Sequence, residues 1–195
     1  MTRAAFIFPA LALLAACGGQ TGEQVQAEEA KRAETVAGLK GIERAFDSPE
    51  TAVAAANQFG FRIAGYKQSG LRWQAAGEPI FVADTQAKTP NQARFVAMGP
   101  DQSKIDTMRF TLDVTDPADA ARAKTRFAKM IDEVLWQFRA QKPEAVGKAI
   151  AAEQPFEKTL DGATAAVSVA PIPQGDKTRR ITVTFTRPGA TGQAS

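Results

Sequence analysis

A single cysteine, Cys17, and the absence of any histidine limit what this 195-residue chain can do chemically. Without imidazole there is no Ser-His or Cys-His nucleophile pair, no usual general base near neutral pH, and none of the commonest zinc ligand. Catalysis would have to rest on carboxylates, on Ser or Thr assisted by Lys, or on Tyr66. No Ser-x-x-Lys occurs, so serine-lysine hydrolases of that pattern lack support. The acid pairs Asp113/Asp116, Asp116/Asp119 and Asp132/Glu133 read as caps or solvated faces, because two-carboxylate glycosidase chemistry needs a set separation across a cleft. Asp101 and Asp106 bracket a turn without the alternating oxygen ligands of a calcium loop. Gly175-Asp176-Lys177-Thr178 lacks the upstream glycine of a phosphate loop and reads as a hairpin turn. The expectation is a non-enzyme with no catalytic residues, no metal and no cofactor.

The position of the cysteine says more than its type. Met1-Thr2-Arg3 precedes an apolar run of thirteen residues, Ala4 to Ala16, which ends at Leu14-Ala15-Ala16-Cys17. The run is interrupted by Pro9 and is shorter than the roughly 20 residues a membrane-spanning helix needs. A basic start, an apolar stretch and small residues before a break are the marks of a secretory signal. Leu14-Ala15-Ala16-Cys17 resembles the lipobox of bacterial lipoproteins, and the resemblance covers residues 1–19. It implies cleavage before Cys17, acylation of that thiol, and attachment to the cell envelope facing the periplasm. Gly18 in place of an aspartate favours the outer membrane over the inner. The membrane, reached through covalent lipid on Cys17, is then one partner. No disulfide can form within the chain.

The remaining chain is globular in composition and only mildly charged. Gly18 to Gly60 carries four bases against seven acids, and Phe61 to Ser195 nineteen against fourteen. There are no dense Lys/Arg tracts, so nucleic acid is not an expected partner.

Two constellations could recognise something. At 100° per residue Arg122, Arg126, Lys129 and Trp136 fall on one side of the longest helix, nearly opposite its apolar stripe. The favoured reading folds the first helix over this side and buries Trp136 as a second core contact. The alternative is a basic-aromatic surface for an envelope protein, a lipid headgroup or an anionic glycan. The second constellation is a polar strand face, with Thr107, Arg109, Thr111 and Asp113 on one strand and Thr182, Thr184 and Thr186 on another. It reads first as a solvated sheet face, since Thr suits strands.

The elements that must position these residues follow from periodicity. Residues 1–16 form the signal, 17–25 an acylated flexible tether, 26–187 one α+β domain and 188–195 a disordered tail. Helices are expected over Gln26–Phe46, from Ser48 (as N-cap) to Phe59, from Asp116-Pro117 to near Gln141, and over Glu144–Ala152. The long helix carries Phe127, Met130, Ile131, Val134, Leu135 and Phe138 as its apolar stripe. Strands are expected through Leu71, Trp73 and Ala75, over Pro79–Ala83, in a hairpin of Ala93–Met98 with Thr107–Thr115, over Phe156–Lys158, and in a second hairpin of Ala165–Ala170 with Arg179–Thr186. The fold class is α+β: one domain with an antiparallel sheet of about five to seven strands and helices mainly on one face. A weak internal repeat places helix, short strand and hairpin in each half.

The favoured function is binding or scaffolding of another envelope component. A second reading is a small-ligand or lipid module with a cleft lined by Phe110, Leu112, Phe127 and Ile131. A third is a carboxylate-based glycan hydrolase.

Overall fold

The computed structural model describes residues 22–39, 41–82, 86–140, 144–173, 175 and 177–190. The chain divides into two compact units, Met1–Thr35 and Val36–Ser195. The signal region, including Leu14, Ala15, Ala16 and Cys17, lies outside the described residues, as do residues 191–195 of the expected tail.

α1 spans Gly22–Gly38. It begins inside the stretch expected to be a flexible tether, because Gln, Glu and Ala are good helix formers and Glu23 lies in its first turn. The expected continuous helix to Phe46 does not form. Gly41 takes φ +61° and breaks it, and α2 resumes as one turn, Glu43–Phe46. That turn buries Ile42, Ala45 and Phe46.

α3 runs over Pro49–Asn57 with proline in its first turn. Ser48 does not cap it through its side chain; its hydroxyl pairs with that of Thr51 at 2.6 Å. Ala52, Val53 and Ala56 are buried, whereas Phe59 lies past the helix and is half-buried. The Asn57 amide donates to the Ile63 carbonyl at 3.0 Å, and its carbonyl accepts from the Ile63 N–H at 2.7 Å, tying the helix end to the incoming chain.

The sheet has eight antiparallel strands rather than five to seven: β1 (Lys67–Ser69), β2 (Arg72–Ala76), β3 (Ile80–Phe81), β4 (Gln92–Gly99), β5 (Thr107–Val114), β6 (Phe156–Leu160), β7 (Ala163–Pro171) and β8 (Arg179–Thr186). Their order is β1-β2-β4-β5-β8-β7-β6, and β3 pairs with β4 beside this path. Leu71 does not share an inward face with Trp73 and Ala75. It stands at the β1–β2 turn and is 99% exposed, while Trp73 packs beside Tyr66. The two hairpins, β4–β5 and β7–β8, meet through β5 and β8, with Phe110 opposite Val183. About that pair β4 and β7 take the next positions and β2 and β6 the ones beyond, while β1 and β3 in the first half have no counterpart in the second.

α4 (Ala120–Gln137) follows a 3-10 turn, Pro117–Asp119, whose first N–H groups are served by the Asp116 carboxylate accepting from Ala118 N at 3.0 Å. It ends at Gln137, short of Gln141, and Arg139 beyond it has φ +57°. α5 is Glu144–Ala152. α4 packs against β5 and α5 against β7. Between helices and sheet lies one core that includes Phe46, Phe61, Phe95, Phe110, Phe127, Phe138 and Phe185, all fully buried. Phe95 and Phe110 approach to 4.9 Å between ring centres. The alternation of β4, β5 and β8 sends every second residue into this core and turns the others to the opposite face of the sheet.

Candidate functional site

Two surfaces collect the chemically distinctive side chains. The first is the outward face of α4. Its apolar stripe faces the sheet, so the residues nearly opposite must face out unless another element covers them. Arg122, Arg126, Lys129 and Trp136 are all exposed, and Trp136 at 77%. The favoured burial of Trp136 is therefore corrected: its side chain is exposed. Arg122 bonds Asp119 at 3.3 Å and Lys129 lies 3.5 Å from Glu133, both near-surface pairs that hold side chains upright at little net energy.

Trp136 borders a groove of about 410 Å³ with Lys129, Asp132, Glu133 and Ala140. A neighbouring groove of about 250 Å³ shares Lys129 and Glu133 and is walled by Phe59, Ile80, Phe81, Arg126 and Met130. Phe81, 54% exposed at the short β3, thereby joins Trp136 on one continuous surface. No sequence signal marked Phe81, because a two-residue strand carries no alternation to read. A third opening, about 650 Å³, lies between α4 and α5 along Ala121, Thr125, Ala128, Gly147 and Ala151.

The second surface is the open face of the sheet. On it β4 presents Arg94, β5 presents Thr107, Arg109, Thr111 and Asp113, and β8 presents Arg180, Thr182, Thr184 and Thr186. Register brings three of these together. Arg180 donates to both Asp113 oxygens, Nε to Oδ1 at 2.6 Å and Nη2 to Oδ2 at 3.0 Å, and Arg94 donates to Oδ2 from the other side. Asp113 is consequently only 6% exposed. Burial alone pushes its carboxyl up, but the hydrogen bonds and charges of Arg180 and Arg94 outweigh this and hold it below the ordinary carboxylate range. The same bonds push the Arg180 guanidinium up. At one end of the sheet Asp106 is gripped likewise, by Arg72 at 2.9 Å and Arg187 at 2.8 Å.

Four of the side chains that the sequence offered for chemistry make structural hydrogen bonds. Tyr66 donates to the Lys104 carbonyl at 2.7 Å, and burial, with the nearby Asp106 and Asp101 charges, pushes its phenol above the usual range. Asp101 accepts from the Ser103 N–H at 2.7 Å within its turn, and Asp116 caps a helix. Thr178, at the end of the loop-like Gly175 segment, donates to the Ile172 and Gly175 carbonyls, as a hairpin turn requires. Phe110, Leu112, Phe127 and Ile131 are all buried in the core, and none of them lines the grooves described above. Among the described residues there is no group of three or more Asp, Glu, His or Cys able to hold a metal ion, and no helix is long and apolar enough to cross a membrane.

Comparison with family models matches residues 14–168, most of the chain, to a family described as "Family of unknown function (DUF6030)". Neither the curated proteins nor the solved structures contain a match.

Proposed function

The chain belongs to the family of unknown function DUF6030, and from its own residues we propose that it is a lipid-anchored, non-enzymatic binding protein of the bacterial envelope, held by Cys17 and engaging another envelope protein through the outer face of α4. The anchor rests on Leu14-Ala15-Ala16-Cys17 at the end of the apolar run, with the outer membrane as the favoured site. The observation that carries the binding role is the exposure of Trp136 and of Phe81 on two grooves that share Lys129 and Glu133. A lone exposed apolar residue is ordinary. Two large aromatics bordering adjoining grooves, ringed by Arg126, Lys129 and Glu133, have the make-up of an interface anchor with a polar rim.

Two measurements test the two halves separately. Cys17→Ser should abolish acyl labelling and processing of the full chain in cells; unchanged labelling would remove the anchor. A photoreactive residue in place of Trp136 should give a discrete protein adduct in intact envelopes, absent when the same reagent replaces Leu71. Identical adducts from both positions, or none from position 136, would remove the binding surface.

A further inference from the structure

The outward face of the sheet holds a cation with no ionic partner among the described residues. β5 is the middle strand of the seven on the main path, and Arg109 stands near its midpoint. The residues opposite it are Val96 on β4 and Thr184 on β8, so no acid faces it. It is half-buried and has no ion pair or hydrogen bond among the described residues.

On the β5 and β8 side the surroundings of Arg109 are hydroxyls, while on the β4 side Val96 and Met98 share the face. Thr107 and Thr111 flank it along β5, about 7 Å to either side given the rise of a strand. Thr186 lies opposite Thr107 and Thr182 opposite Thr111. With Thr184 these make five hydroxyls around one guanidinium, and Thr164 and Ser168 on β7 extend the rows outward. One repeat along, Arg94 and Arg180 share the single Asp113, so that group retains a positive charge. The centre of the face therefore sets three guanidiniums against one carboxylate.

What is missing narrows the ligand. The outward positions of β4, β5, β7 and β8 carry no aromatic side chain. Nucleic-acid platforms of open sheets stack bases on aromatics, and protein interfaces anchor on them. A positively charged, non-aromatic plane with threonine rows on β5 and β8, edged by Val96 and Met98 on β4, complements a molecule that is itself rich in hydroxyls and bears carboxylates.

We propose that this face binds an extended acidic glycan, with Arg109 taking a sugar carboxylate in a two-point pair and the threonine rows exchanging hydrogen bonds with the sugar hydroxyls. The site is separate from the Trp136 surface, which lies on the helical layer.

The test is calorimetric titration of the full chain in detergent with an oligogalacturonate, its methyl-esterified form and a single-stranded oligonucleotide. The acidic glycan should bind, weaken as salt rises, and exceed the ester by at least tenfold. Arg109→Gln should lose at least tenfold, Arg109→Lys less, and Trp136→Ala nothing. Thr184→Glu, which sets an acid opposite Arg109, provides a second variant and should abolish binding while keeping the same unfolding midpoint. Wild-type affinity in both Arg109→Gln and Thr184→Glu would overturn the site. Equal binding of the ester or the oligonucleotide would overturn the glycan as its ligand.

Discussion

Asp113 and Arg180 face each other across the β5–β8 ladder, 67 residues apart in sequence, and the guanidinium spans both carboxylate oxygens. Arg94, opposite Thr111 on the next strand, reaches the same carboxylate from the other side. A charge that alternation alone would leave in water is thus enclosed by two cations on a face that is otherwise open.

Asp113→Asn removes the negative charge and one of the two acceptor oxygens that the arginines share. Charge-assisted bonds of this kind contribute about 1.5–3 kcal/mol, but the Arg94 and Arg180 side chains are 39% and 47% exposed, so solvent reduces their share. The expected loss is about 1–2 kcal/mol in urea unfolding at pH 7.

The same residue gives a pH signature. Its folded-state pKa is lowered, so its contribution is complete above the unfolded carboxylate value of about 4 and disappears as pH falls through the lower folded value. Urea midpoints of wild type should therefore fall between pH 5 and pH 3 more steeply than those of Asp113→Asn. Parallel slopes would show that the two arginines do not hold this carboxylate in the folded state.

Trp136 is expected to emit as a solvent-exposed indole and to be quenched freely by acrylamide once Trp73 is replaced by Phe. Trp136→Ala should change stability by less than about 0.5 kcal/mol, the usual range for surface substitutions. A blue-shifted, protected emission would mean that α4 is covered after all.

Phe110→Ala should cost about 3–5 kcal/mol, since Phe110 is fully buried between Phe95 and Phe185 and nothing can collapse cheaply into its place. Leu71→Ala, at the exposed β1–β2 turn, should be neutral. Denaturant unfolding of the pair separates hydrophobicity from burial.

Two glycines should behave in opposite ways. Gly41 has φ +61°, and a Cβ there would come within 2.9 Å of an Asp161 carboxylate oxygen. Gly41→Ala should lower the thermal midpoint, by about 1–2 kcal/mol in stability. Gly147 lies within α5, where an added Cβ would meet nothing within 4 Å, and Gly147→Ala should stabilise by about 0.5–1 kcal/mol. Like signs for the two would contradict the chain break at Gly41.

The sequence by itself determined what depends on local period and residue type. The stripe of Phe127, Ile131 and Val134 set the buried side of α4, and the alternation of Met108, Phe110 and Leu112 set the inward side of β5. The same 3.6-residue period put Arg122, Arg126, Lys129 and Trp136 on one side of the helix. It could not say whether that side was covered, because covering depends on where a distant element packs. Here Trp136 is exposed. Leu71 failed for the complementary reason: its hydrophobicity matched the strand pattern, but the turn at Gly70, with φ +62°, placed it in solvent. Strand partners were likewise undecidable between hairpins, since any polar face can lie beside any other. Only the β5–β8 register brought Arg180 to Asp113 and set Thr184, not an acid, across from Arg109. The polar face was legible as a face; which charge on it stayed unpaired was a consequence of tertiary pairing.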